Sequence, residues 1–291
     1  MSSFGDNMNR LRKRSLPPSV NDIEWRFDTV FRRLQNIEEA IDGRLPFTPA
    51  NQSDVLATMR LLEPRRVEEA VKARFGSVHD GGYVMLDDFS DLNMALSFGV
   101  SVDDSWDLEI ARRGVRVLQF DHTIDAAPSS HELLQFHKTM IAASPGPGRE
   151  TLSNLVRTHS RPGRPDILLK IDIEGDEWSV FAETPIEEIG RCAQILCEFH
   201  DLRLLCNEDV MRKVRGVFEK LTSRFAVAHV HANNCGPLCN VANVPVPDVL
   251  EILYVNRERY RTAATDELFP TALDAPNRPS MPDIYLGSFR Y

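Results

Sequence analysis

The sequence predicts an α/β fold with a mostly parallel sheet and helices on both faces, and three segments carry that expectation. Leu96-Ser97-Phe98-Gly99-Val100-Ser101 reads as an apolar strand that ends in a glycine turn, where backbone N–H groups can approach a ligand at the carboxyl edge of the sheet. Val115-Arg116-Val117-Leu118-Gln119-Phe120-Asp121 follows, a second strand whose terminal carboxylate lies about 20 residues beyond the turn, a spacing suited to ribose hydroxyls. Ile167-Leu168-Leu169-Lys170-Ile171-Asp172 is a third apolar run with carboxylates packed at its end. Strands that finish in polar groups at one edge describe a nucleoside-type cofactor site. The turn has a single glycine, whereas a dinucleotide fingerprint has three.

Along the chain, residues 1–20 read as an unstructured tail ending in Pro17-Pro18. Residues 21–45 read as an amphipathic helix: Ile23, Phe27, Val30, Leu34, Ile37 and Ile41 alternate steps of four and three, Asn21 or Asp22 caps the start, and Gly43 ends it. This heptad seam through 23–41 either pairs with its copy in a homo-oligomer or lies on its own domain. Pro46 and Pro49 mark a linker to a main domain spanning 50–260. There Ser53 is expected to cap a short helix through Leu62, and Pro64 to open another reaching about Phe75. Asp80-Gly81-Gly82 is a glycine turn leading into a strand through Leu86. Helices are expected over 104–113, 132–143, 152–157, 177–182 and 208–224, and further strands over 193–199, 226–230 and 250–255. The last stretch, 261–291, is Pro-rich and loop-like, with an edge strand expected at Ile284-Tyr285-Leu286.

Composition narrows the classes of function. Hydrophobic residues at 42% and charged residues at 26% are ordinary for a globular protein, and 291 residues suffice for one catalytic-size domain plus an appendage. The net charge of −9 argues against nucleic-acid binding, which needs a basic face; the one dense basic run, Arg10-Leu11-Arg12-Lys13-Arg14, reads as part of the tail. No apolar run approaches the ~18 residues of a membrane span, and residues 1–9 are too polar for a signal peptide, so a cytoplasmic location is expected. Five cysteines, an odd number clustered in the last third, suit reduced thiols.

Lys170-Ile171-Asp172-Ile173-Glu174-Gly175-Asp176-Glu177-Trp178 resembles the Lys-Ile-Asp-Val-Glu-Gly signature of the FkbM-type (methyltransferase-like) S-adenosylmethionine-dependent methyltransferases, and Thr151-Leu152 is similar to the pair preceding that strand in the family. The segments 80–86, 96–105 and 229–235 extend the resemblance, which covers about residues 80–257. It implies a class I methyltransferase fold, Rossmann-like, with a seven-stranded sheet and S-adenosylmethionine at its carboxyl edge. It also implies that Phe98, Gly99 and Ser101 shape the loop under the cofactor's methionine part, that Asp121 holds the ribose, and that Gly81 and Gly82 join the cofactor-binding set. The family's usual carboxylate two positions before the first turn glycine is Ser97 in this chain, which leaves Asp172 as the substitute partner for the cofactor ammonium.

Methyl transfer to a hydroxyl needs an aligned acceptor, a dry site and a group that removes the proton: a histidine, a carboxylate, or a divalent metal that acidifies the hydroxyl. Candidates stand at strand ends. Asp172 closes one strand, Glu198-Phe199-His200-Asp201 the next, and His229-Val230-His231-Ala232-Asn233-Asn234-Cys235 the one after. Asp172, His200 and His231 are the candidate catalytic residues, with His231, nearer the strand end, preferred over His229 as the functional histidine. His200 reads equally as a site residue or a satisfied turn histidine. A divalent metal held by Asp172 and His200 is the metal reading; zinc on His229, His231, Cys235 and Cys239 has an unusual spacing. Asp176 and Glu177 read as charges that complement a helix dipole, and Trp178 as core. The expected activity is O-methylation of a small-molecule or glycan acceptor, such as a sugar, glycan precursor or natural product. Two readings stand beside it: a dinucleotide-dependent oxidoreductase, and a non-catalytic oligomerising scaffold with a decayed α/β domain.

Overall fold

The computed structural model of the protein describes residues 48–291. The expected tail over 1–20 and the heptad helix over 21–45 lie outside the described residues. In chain order the strands are β1 (Arg65–Val67), β2 (Lys72–Gly76), β3 (Gly82–Leu86), β4 (Met94–Phe98), β5 (Val117–Phe120), β6 (Leu134–His137), β7 (Met140–Ile141), β8 (Arg149–Glu150), β9 (Ile167–Ile171), β10 (Cys192–Phe199), β11 (Phe225–Ala232), β12 (Leu238–Val241), β13 (Val244–Pro247), β14 (Leu250–Asn256) and β15 (Thr262–Ala264). The helices are α1 (Gln52–Arg60), α2 (Ser105–Arg112), α3 (Leu152–His159), α4 (Glu177–Glu183), α5 (Ile186–Ile189) and α6 (Glu208–Thr222).

Seven strands form the central sheet in the order β11-β14-β10-β9-β4-β5-β6. The pairs from β10 to β6 are parallel, whereas β14 runs antiparallel to both β10 and β11. The predicted α/β architecture is therefore present. Strands β4, β5, β9, β10, β11 and β14 are buried along their whole length, as continuous apolar runs require when both faces are covered. One face packs against helices that bury Leu155, Val180, Phe181 and Phe218; the other is covered by the β2–β3 hairpin and α2, which bury Phe75, Trp106 and Ile110. Each of these side chains contributes roughly 1.5–3 kcal/mol by leaving water.

The main misreadings of the sequence fall at sheet edges. The helix expected from Pro64 to Phe75 is instead β1 and β2: Arg65-Arg66-Val67 pairs with β15, and Phe75 lies opposite Tyr83 in the hairpin. Its Arg-, Glu- and Ala-rich composition favours a helix locally, and cross-strand pairing overrides that preference. The helix expected over 132–143 is edge strand β6 followed by β7; Phe136 and His137 pair with Gln119 and Phe120 of β5. Leu133, Leu134, Phe136, Met140 and Ile141 fit a helical stripe as well as a half-buried edge strand. The cap of α1 is Asn51, which accepts from the Asp54 N–H at 2.9 Å, rather than Ser53. Residues 284–286 form no strand; in the last stretch β15 pairs with β1, and beyond it lies the isolated bridge Phe269↔Gly287.

The centre of the sheet is closed by backbone contacts. Gly99 donates to the Phe120 carbonyl at 3.0 Å, Asp172 to the Phe98 carbonyl at 3.1 Å, and buried Lys170 sends Nζ to the Gly99 carbonyl at 2.7 Å. Gly99 has φ +77°, and a Cβ there would lie 1.7 Å from the Asp172 carbonyl oxygen. Gly99→Ala is therefore expected to lower the urea unfolding free energy by about 3 kcal/mol or more, because backbone strain and displacement of the Asp172 turn add together. An unchanged midpoint would contradict this close approach.

Candidate functional site

The strand order reverses direction between β4 and β9, so their carboxyl ends flank the switch point where open α/β sheets place ligands. Phe98 is buried at the end of β4, and Ser101, at φ +53°, turns the loop over it. Asp121 holds that loop in place. Its Oδ2 accepts from the N–H groups of Val100 and Ser101 at 2.9 and 2.8 Å, and its Oδ1 from the N–H and hydroxyl of Thr123 at 2.7 and 2.6 Å. Gly81 and Gly82 shape the β2–β3 turn: a Cβ on Gly82 would lie 1.8 Å from the Ser77 carbonyl oxygen, and one on Gly81 would meet the Asp103 side chain at 3.3 Å. The hairpin turn thus abuts the loop after β4. Ser97 is fully buried, with its hydroxyl against Asp107 of α2, whose carboxylate it helps to stabilise.

Beside this loop, the ends of β9 and β10 bring Asp172, Glu198 and His200 together, with a donor atom from each within 4.8 Å of the others. His200 Nε2 lies 3.9 Å from Asp172, 3.8 Å from Glu174 and 3.7 Å from Glu198. Its Nδ1 makes a 3.3 Å ion-pair contact with Glu177, at an angle that is not a hydrogen bond. The Tyr83 hydroxyl donates to Asp172 at 3.2 Å and reaches Glu198 at 3.4 Å, and Asn233 donates to Glu198 at 2.8 Å. Burial, with Asp172 and Glu251 adding negative potential, pushes the Glu198 carboxyl well above its usual range. Burial opposes charge on His200, but Glu177, Glu198 and Asp172 outweigh it and raise the imidazolium to about 11.

Glu177 is fully buried rather than a surface charge at a helix start. Its two oxygens accept from the N–H groups of Ile173 at 2.6 Å and Gly175 at 2.9 Å, fixing a turn in which Glu174 and Gly175 both take positive φ. Trp178 packs on Phe199 and Phe218 and donates to the His200 carbonyl at 2.9 Å, as a core residue that also anchors the site.

His231 occupies a different environment from the one its strand-end position suggests. β11 is separated from β10 by β14, and both His231 ring nitrogens face carboxylates: Nδ1 lies 3.0 Å from Glu251, and Nε2 3.1 Å from Asp283. Burial opposes its charge, yet Glu251 and Asp283 raise it to about 10, so at neutral pH it has no lone pair with which to act as a base. Its neighbour His229 pairs with Asp274 at 2.8 Å. Together with Asn234, which donates to the carbonyls of Arg278, Met281 and Pro282, these pairs fasten the C-terminal stretch to the sheet edge. Asn277 from that stretch donates to Glu251 at 2.6 Å and Asp80 at 3.2 Å.

Sequence reasoning gave no role to Tyr83, Glu198, Glu251 or Asn277, and misread Glu177. Glu198 belonged to a noted cluster, and the buried acids of the strand ends were its signal; Tyr83 and Asn277 have none, since they arrive from a hairpin and a loop distant in sequence. Among the described residues, Asp172, Glu198 and His200 form the one cluster with metal-ligand chemistry, so the zinc set of His229, His231, Cys235 and Cys239 is not assembled. No protein-family model matches the chain, and no curated protein matches its sequence.

The His231 pair gives a pH signature. A histidine raised to about 10 in the fold and near 6.5 when unfolded adds stability that is complete below about pH 6.5 and is lost as pH rises through about 10. Unfolding free energies measured from pH 6 to 10 should therefore fall more steeply for the wild type than for His231→Gln. Parallel curves would contradict the buried pairing.

Proposed function

We propose that the protein is an S-adenosylmethionine-dependent O-methyltransferase of the class I type, acting on a hydroxyl of a sugar, glycan precursor or other polar small molecule. The observation that carries this reading is the juxtaposition, at one switch point, of the glycine-turn loop held by Asp121 and the acid–histidine centre at the ends of β9 and β10. The seven-stranded sheet agrees with the fold that the Lys170–Trp178 signature implies. Two features of the loop support such a cofactor: Gly99 lets it turn tightly against the end of β9, and Asp121 Oδ1 could exchange its Thr123 hydroxyl partner for a ribose hydroxyl.

The cofactor, when bound, supplies a methyl carbon made electrophilic by its sulfonium. Transfer would exchange the donor's C–S bond for a C–O bond to the acceptor, whose hydroxyl proton would have to pass to the protein. In this reading Asp172 takes that proton, because its side chain is 26% exposed while Glu198 is almost enclosed. His200, Tyr83 and Asn233 hold the two carboxylates in position. Free cysteines and the lack of an apolar run in the sequence support a cytoplasmic setting, and the 23–41 seam supports a homo-oligomer. Among the described residues no helix is long and apolar enough to cross a membrane.

Isothermal titration tests the reading. S-adenosylhomocysteine should bind and NAD should not, and Asp121→Asn should weaken S-adenosylhomocysteine by about 10–100-fold, the loss expected for charged hydrogen bonds in a buried loop. Binding of NAD alone, or an Asp121→Asn protein with unchanged affinity, would overturn it.

A further inference from the structure

The geometry points to a binding site for one divalent cation of the manganese–magnesium class, ligated by Asp172, Glu198 and His200. The inference stands apart from the cofactor reading, since it concerns only these three side chains and can hold or fail without S-adenosylmethionine.

The molecule contains its own standard for comparison. Where a histidine of this chain simply pairs with an acid, the contact is short: His229 to Asp274 at 2.8 Å, and His231 to Glu251 and Asp283 at 3.0 and 3.1 Å. His200 differs. It is 6% exposed and directs Nε2 at three carboxylates, yet stands 3.7–3.9 Å from each, beyond hydrogen-bond reach of all of them. Donors bound to one ion at about 2.1–2.4 Å are separated by about 3.0–3.4 Å when side by side and by up to about 4.8 Å when opposite, a range that contains the 3.7 and 3.9 Å spacings of His200 and the 4.8 Å limit of the whole set. The spacing suits ligands of a common cation better than partners of each other.

Charge and support agree with this. Asp80, Asp172, Glu198 and Glu251 all bear on the same small region, and Glu251 is already paired with His231 and Asn277; the cation facing Asp172 and Glu198 is the His200 ring, whose Nε2 proton a divalent ion would displace. The donors are held from behind: Asn233 and Tyr83 fix Glu198, Tyr83 fixes Asp172, and the buried Glu177 carboxylate lies 3.3 Å from His200 Nδ1. Two carboxylates and one imidazole without thiolate favour manganese or magnesium over softer ions, and three protein donors leave positions open for water or hydroxyl oxygen.

Full-length protein stripped with EDTA and dialysed should bind one Mn²⁺ per chain with micromolar affinity, read from the free-Mn²⁺ electron paramagnetic resonance signal. Glu198→Gln, nearly isosteric, and His200→Ala should each weaken binding at least 10–100-fold, the loss that even supporting residues of metal sites produce. Mn²⁺ should raise the wild-type melting temperature but not that of Glu198→Gln, which in EDTA should melt no lower than the wild type, because glutamine can keep the bond from Asn233 while removing one acid from a buried acidic group. Failure of the wild type to bind either Mn²⁺ or Mg²⁺ stoichiometrically, or a Glu198→Gln protein that binds Mn²⁺ as tightly, would overturn the assignment. Because S-adenosylhomocysteine binding is measured separately, loss of one result leaves the other standing.

Discussion

Carboxylates buried at the end of an apolar sheet are the constraint on which the rest of this structure depends. A carboxylate taken from water without partners is costly by several kcal/mol, so each one must recruit donors or cations from its surroundings. Asp121 recruits the loop after β4, Glu177 the turn after β9, and Glu251 the ring of His231 and the amide of Asn277. The acids thereby set the conformations of the loops that form the site. Glu198 and Asp172 stand at the centre of this group with few donors of their own. That imbalance is the feature on which the proposed proton transfer and the proposed cation site both rest.

The same constraint explains why the Pro-rich C-terminal stretch belongs to the folded domain. Regular secondary structure hardly contributes to it, yet Asp274 and Asp283 reach His229 and His231, and Asn234 gathers three of its carbonyls. The histidines of β11 therefore act as anchors rather than as bases. Removing them would loosen the wall that carries Asn277 toward Asp80 and Glu251.

Much of the fold was legible in the sequence because its signals are local and repeated. The apolar runs of β4, β5, β9, β10, β11 and β14 stand out from their flanks, and α2, α3, α4 and α6 fall within a few residues of the periodic segments. The errors at 64–75 and 132–143 occur where a short strand pairs at an edge, so that half its side chains stay wet and helix and strand patterns coincide. The site was legible in part. Asp172 and His200 were visible as polar ends of apolar strands, but the role of His231 depended on β14 running antiparallel between β10 and β11. That reversal also places Glu251, at the start of its strand, on the carboxyl edge, where a parallel reading would put it at the opposite end. Glu177 does stand in the first turn of α4, but its burial was not legible, because a buried acid cannot be told from a helix-dipole charge when both call for an acid there.

The central claim is that the switch-point edge holds a methyl donor beside the acid–histidine centre. The most direct measurement is a crystal structure of the protein grown with S-adenosylhomocysteine. The account predicts the ligand over Gly99–Ser101, a ribose hydroxyl on Asp121, and the sulfur facing Asp172 and His200 across a gap wide enough for an acceptor oxygen. A ligand bound elsewhere, or one whose sulfur points away from Asp172 and His200, would contradict it.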